Sequence, residues 1–202
     1  MLKEITIFDD EEFLRQVSKP VDFENDNDLE QNLNDLIEYT LNNNKAYAMA
    51  SIQLGIAKRI LFVKSTKENS AATEEGNSLI LMINPVVLSR KGKTQFWEAC
   101  VSGSNYIGLV ERPYEMVIKY QDKNGQFKTE KFEGFASTVL SHELDHLDGI
   151  FHMDRAKELY WVPKEERKSF RSDEPYTIIS KTCEFNYPEV KLKKFSEEVE
   201  NY

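Results

Sequence analysis

The sequence predicts an α+β fold in which mainly antiparallel sheets pack around one central helix. Three observations carry that expectation. Short strand-like runs fill the middle of the chain, and a hairpin signal stands at Asp122-Lys123-Asn124-Gly125. A helical apolar period then appears over Ser137 to about Asp148.

Taken in order, residues 28–43 place Leu29, Leu33, Leu36, Ile37, Tyr39 and Leu41 near a helical period, with Asp26 or Asn27 as cap and Asn42-Asn43-Asn44 as the end. Arg59 to Val63 reads as a short strand. The polar stretch from Ser65 to Ser78 that follows it reads as a mobile surface insertion. Leu79 to Ile83 is a second buried strand, and Pro85 is expected to stop it. Met116 to Tyr120 and Phe127 to Phe132 flank the hairpin turn, where Asn-Gly tolerates positive φ. In the central helix Val139, Leu140, Glu143, Leu144, His146 and Leu147 recur at steps of three and four, and Gly149 ends it. Beyond Arg155 the chain turns charged. Lys164 to Lys168 reads as a solvated segment, YTIISKTCEF as a strand, and Lys191 to Tyr202 as a charged helix. Residues 1–155 are expected to form the core, with 156–202 as an extension packing on the same domain.

A length of 202 residues and 23.6 kDa suits one domain with a real core. Hydrophobic residues at 40% exclude disorder as the default. A formal charge of −9 argues against broad nucleic-acid binding and against docking on an anionic membrane. Two cysteines make no disulfide framework, and Met1-Leu2-Lys3-Glu4 opens no signal peptide. No run approaches the roughly 18 apolar residues a membrane span needs. A cytoplasmic location is the expectation, in which Cys100 or Cys183 can serve as thiolate ligand or nucleophile. Only three histidines are present, so a site built from them stands out.

Two of them stand in His142-Glu143-Leu144-Asp145-His146. Residues four apart share a helix face, so both imidazoles can reach one metal ion, which makes this a metal-binding helix. Glu143 between them can take a proton from an activated water and hand it to a leaving amine. The third ligand is open at this point. His152 completes H-E-x-x-H-x-x-G-x-x-H, the ligand spacing of metzincin endopeptidases, but the only methionine after it is Met153, too near for their methionine turn. Cys100, in Glu98-Ala99-Cys100-Val101-Ser102, is the other candidate.

Here the sequence resembles the peptide deformylase family, whose three ordered motifs are G-x-G-L-A-A-x-Q, E-G-C-L-S and Q-H-E-x-D-H-L-x-G. They stand in this chain as Ala46 to Gln53, Glu98 to Ser102 and Ser141 to Gly149. Gly55 to Ile60 and Asn84-Pro85 also resemble the family, and the likeness covers roughly residues 1–155. The resemblance implies one divalent metal held by Cys100, His142 and His146, with Fe²⁺ favoured and Ni²⁺, Co²⁺ or Zn²⁺ able to substitute. It implies Glu143 as general base and acid, and Gln53 with the Val101 backbone N–H as oxyanion donors. The resemblance also implies that Glu98 pairs with Arg112, fourteen residues on, to steady the histidines. The implied reaction removes the formyl group from N-formyl-methionyl peptides as they leave the ribosome.

Several positions depart from the motifs. Ala46 and Ala48 replace both glycines of the first, Met49 and Ser51 replace leucine and alanine, Ala99 and Val101 alter the second, and Ser141 alters the third. Methyl groups at 46 and 48 restrict the backbone where a substrate chain would lie. Tyr47, Ala48, Phe135 and Val139 are the candidates to line the methionine pocket. Ile107 stands where many relatives carry an arginine, and His152, where they carry an aromatic, is read as partly buried or on the surface. Cys183 is read as packing only, and Trp97 and Trp161 as core or shoulder residues. Two other readings stay open: a metal-binding relative with altered or no activity, and an endopeptidase using His142, His146 and His152.

Overall fold

The computed structural model describes residues 2–42, 47–64, 79–172 and 175–196. The expected insertion at 65–78, Ala46, and the end of the chain after Ser196 lie outside the described residues.

Among the described residues, eight strands form one antiparallel sheet: β1 (Ala48–Ala50), β2 (Ile60–Lys64), β3 (Leu79–Ala99), β4 (Tyr106–Arg112), β5 (Glu115–Gln121), β6 (Phe127–Glu133), β7 (Leu159–Trp161) and β8 (Thr177–Glu184). The order β1-β2-β3-β4-β7 forms one path, while β5 and β8 also pair with β3, and β6 pairs with β5. The helices are α1 (Ile7–Leu14), α2 (Leu29–Asn42), α3 (Phe135–Leu147), α4 (His152–Arg155) and α5 (Arg167–Phe170). The α+β class with a mainly antiparallel sheet is as the sequence predicts.

Strand β2 reads as a continuous apolar run because both of its faces are covered. Leu61 and Val63 join Leu140, Leu144 and Leu147 of α3 in one core cluster. Ile60 and Phe62 join Leu33 and Leu36 of α2 in another. Each of these fully buried side chains contributes about 1.5–3 kcal/mol of apolar burial, which is what seats α3 against the sheet.

One expectation fails in the middle of the sheet. Pro85 does not end the second strand, and β3 continues to Ala99. Asn84 takes φ 51°, and the pairing with β5 shifts between Ile83 and Val86. A bulge of this kind places the proline, which has no N–H, outside the ladder. The Asn84 amide compensates: its Oδ1 accepts from Val21 N at 2.8 Å, and its Nδ2 donates to Val21 O at 2.9 Å and Gln121 Oε1 at 3.0 Å.

The segment from Lys191 to Ser196 is not helical. Its amides turn to side chains of other elements instead of to carbonyls four residues back. Phe195 N and Ser196 N donate to the Glu11 carboxylate at 3.1 and 2.8 Å, and Lys193 N donates to Asp154 Oδ1 at 3.3 Å. Phe195 is thereby buried among Ile7, Leu14, Tyr106, Phe151 and Met153. Nor is Lys164 to Lys168 wholly solvated, since Arg167 folds back to donate to Val162 O at 3.4 Å and to Ser104 O.

Candidate metal centre and active site

Two local structures bring the site together. The first is the β3–β4 hairpin, in which Glu98 pairs with Gly108 and Thr94 with Arg112. Positions 94 and 98 share a sheet face, so Arg112 across from Thr94 reaches Glu98 along that face. Cys100 follows directly on the end of β3. The second is α3, which carries His142 and His146 one turn apart with Glu143 between them. Gly149 lets the chain leave this helix tightly: its φ is +69°, and a Cβ there would lie 2.1 Å from the Arg15 carbonyl oxygen.

The donor atoms of Cys100, His142 and His146 all lie within 4.8 Å of one another. Cys100 Sγ is 3.2 Å from His146 Nε2, which is 3.2 Å from His142 Nε2. Tetrahedral ligands at ordinary zinc distances stand about 3.3–3.6 Å apart, so the three atoms fit one metal ion with little adjustment. His142 Nδ1 lies 2.8 Å from Glu98 Oε2, which places a proton on Nδ1 and turns Nε2 toward the other two donors. Burial opposes charge on His142, yet the Cys100 sulfur and Glu98 outweigh it and hold its pKa well above the usual histidine range. Burial, then His142 and His152, push His146 well below that range. A thiol and two imidazoles converging in this way are the donor types of an open metal site.

Glu98 is held far below the normal carboxylate range. Its burial works the other way, but Arg112 and His142 overcome it. Arg112 is fully buried and donates from Nε and Nη2 to the two Glu98 oxygens, each at 2.8 Å. Its Nη1 also meets Asp145, which takes two further bonds from Arg155 at 2.6 and 2.8 Å. Tyr187 covers this chain of charges, with its hydroxyl 3.3 Å from Arg112 Nη1 and its ring 3.8 Å below the Arg155 guanidinium. Sequence reasoning missed Asp145, Arg155 and Tyr187. Asp145 did carry a signal, because an acid inside the apolar turn of a buried helix needs a cation.

Glu143 is buried, and burial pushes its pKa up to about 7. Its Oε2 has no hydrogen-bond partner among the described residues. Gln53, on the 3-10 turn Ser51–Leu54, is oriented by its own neighbours: Oε1 accepts from Ala50 N at 3.0 Å, and Nε2 donates to Cys100 Sγ at 3.1 Å and Ser102 Oγ at 3.2 Å. A cavity of about 360 Å³ opens beside these groups. Tyr47, Ala48, Val101, Phe135 and Val139 line it, as do Gln53, Glu143 and, unforeseen, Phe96 and Arg171.

The sequence profile of the polypeptide deformylase family matches residues 2–160. The chain belongs to the polypeptide deformylase family. It is 35% identical over 146 residues to the peptide deformylase of Rhizobium meliloti, covering 72% of this chain and 80% of that one. It is 30% identical over 191 residues to the peptide deformylase of Chlorobium phaeobacteroides, covering 93% of each. Among solved structures, a probable peptide deformylase from Synechococcus phage S-SSM7 superposes with a TM-score of 0.65 at 33% identity, covering 77% of this chain and 99% of that one. A Met-Ala-Ser-bound class I type b peptide deformylase from Acinetobacter baumannii gives 0.64 at 26%, with 77% and 98% covered. With the family comes the enzyme class, a metal-dependent peptide deformylase.

His152 needs correcting within this polypeptide deformylase. It is 1% exposed, not partly buried or at the surface, and its ring stacks on His142 with centroids 5.5 Å apart. It lies outside the Cys100–His142–His146 group, so the metzincin-like spacing does not produce a third histidine ligand. A Cβ on Gly103 would lie 2.8 Å from the His152 ring, so the missing side chain makes its niche. Burial drives its pKa down to about 3, which leaves it neutral. Ile107 is buried in the core with Trp97, Leu109 and Val162. No helix among the described residues is long and apolar enough to cross a membrane.

Proposed function

We propose that this chain hydrolyses the formamide of N-terminal formyl-methionine on nascent polypeptides, giving formate and a free amino terminus. The observation that supports this best is the convergence of Cys100, His142 and His146 on one point at the wall of a cavity that also holds Glu143. Cys100, His142 and His146 would hold a divalent cation, Fe²⁺ by preference with Ni²⁺, Co²⁺ or Zn²⁺ able to substitute. When bound it supplies Lewis acidity that polarises the formyl carbonyl and acidifies water.

The remaining chemistry falls to side chains. Glu143 takes the proton of the attacking water on its carboxylate and delivers it to the amine nitrogen as the C–N bond breaks. A carboxyl with a pKa of about 7 can both accept and return a proton at neutral pH. Gln53 Nε2, on exchanging its bond to Ser102 Oγ, and the Val101 N–H donate to the oxyanion that forms on the carbonyl oxygen. Glu98 fixes the tautomer and plane of His142, and Arg112 fixes Glu98. Tyr47, Ala48, Phe135 and Val139 receive the methionine side chain. We further place the core at residues 1–155 and treat 156–202 as part of the same domain, a division that the pairing of β8 with β3 favours. The work is assigned to the cytoplasm, where formylated chains emerge from the ribosome.

Formate release from formyl-Met-Ala by protein prepared without oxygen tests the reading. Wild type is expected to turn over, Glu143→Gln to bind metal without turnover, and Cys100→Ala to lose metal and activity together. Metal-loaded wild type that releases no formate would overturn the reading in favour of a metal-binding relative without activity. Activity surviving Cys100→Ala would remove Cys100 from the ligand set.

A further inference from the structure

The family profile ends at residue 160, but the wall of the cavity does not. Arg171, at the end of α5, lines the same cavity as Glu143 and Cys100. Two contacts hold its guanidinium in place. Nε donates to the Trp97 carbonyl at 2.8 Å, and the group lies 5.0 Å over the ring of Phe96. Phe96 in turn meets Phe135 edge-on at 5.4 Å, and Tyr176 from the same extension packs at 5.4 Å on Phe135. The extension thus supplies an aromatic prop and a cation to the rim of a cavity whose core residues come from elsewhere.

The terminal nitrogens of Arg171 carry no hydrogen bond among the described residues, since the Trp97 contact uses Nε alone. An arginine steadied at Nε and on one flat face keeps its terminal N–H groups ready for a second partner, at low entropic cost. Arg167, one turn earlier, adds positive charge nearby, though its Nε and Nη2 are engaged by the Val162 and Ser104 carbonyls. The acidic side chains of the cavity cannot serve as the partner. Glu98 is bound by Arg112 and His142, and Glu143 sits buried against the metal centre. In a chain of net charge −9, this rim is a local reversal of sign.

We propose that Arg171 is a specificity-determining residue that favours formyl-methionyl peptides carrying an acidic side chain at the second or third position. The inference rests on the deformylase reading above and goes beyond it by assigning a sequence preference to the extension. A solvent-reached charge contact of this kind is worth about a twofold to fivefold preference.

The test compares formate release from formyl-Met-Ala-Glu-amide and formyl-Met-Ala-Lys-amide by the metal-loaded full chain, with binding of both peptides followed by calorimetry. Wild type should favour the glutamate peptide in kcat/KM by about twofold to fivefold. Arg171→Gln should bring the ratio near one, and Arg171→Glu should invert it toward lysine. A residue that only anchored the extension would lower both peptides together and could not invert the ratio. Lys168→Ala, exposed on the same helix, should keep the wild-type ratio. Equal handling of both peptides by wild type, or a ratio unmoved in Arg171→Glu, overturns the proposal. Turnover of neither peptide with the charge preference intact in binding would refute the hydrolase reading and leave the selection standing.

Discussion

Replacing Arg112 with methionine removes a fully buried cation from the Glu98–Arg112–Asp145 charge network. Glu98 would lose two bonds of 2.8 Å and keep only His142 Nδ1. Asp145 would lose one cation but retain Arg155 at 2.6 and 2.8 Å. The cost therefore concentrates on Glu98, a carboxylate that is 4% exposed and cannot recover its hydration. Stranding one member of a buried pair costs about 3–5 kcal/mol. With a urea slope of about 2 kcal/mol per molar, the unfolding midpoint should fall by about 1.5–2.5 M. Wild type and variant are to be measured at one fixed metal concentration, because bound metal adds its own stability. The double variant Glu98→Gln with Arg112→Met should regain at least about 1 kcal/mol over Arg112→Met alone, since a neutral amide carries no stranded charge. A loss below about 1 kcal/mol in the single variant, or no recovery in the double, would refute the assignment of the cost to Glu98.

At Gly149, alanine must bring a Cβ to within 2.1 Å of the Arg15 carbonyl at a positive φ, so Gly149→Ala should lose about 2–4 kcal/mol in urea unfolding. A variant as stable as wild type would show that α1 can shift freely. Glu11 sets an acid limit. Burial tends to raise its pKa, but the Ser196 and Phe195 contacts and Arg15 outweigh that and depress it. Its contribution is therefore present above the unfolded carboxylate value of about 4.3 and is lost as pH falls through the lower folded one. Glu11→Gln should narrow the gap to wild type as acid is added, in unfolding midpoints compared from pH 7 down to pH 3. Parallel curves would exclude Glu11 as the source.

The elements that local pattern decides were legible. The period of Leu29 to Leu41, the turn at Asp122 to Gly125 and the helix bearing the histidines all announce themselves over a few residues. The cysteine and the histidines could be joined only through the motif resemblance, since spacing alone equally offered His152. What sequence reading missed depends on partners distant in the chain. Pro85 reads as a stop until Val21 and Gln121 are known to satisfy the bulge beside it. Lys191 to Ser196 reads as helix until Glu11 and Asp154 are seen to take its amides. Arg171 looks like one more surface charge until the cavity wall shows what it faces.

The length of β3 has a consequence of its own. One strand of 21 residues is held in register by β2 at its start, β5 through its middle, and β8 and β4 toward its end, and Cys100 follows its last residue. It acts as a ruler. Adding or deleting one residue inside it would displace the sulfur by about 3.3 Å and turn it to the opposite face. Solvent-facing side chains of the strand can change at little cost so long as the count of residues stays constant. Length changes in the connections outside it would leave that count, and the sulfur, in place.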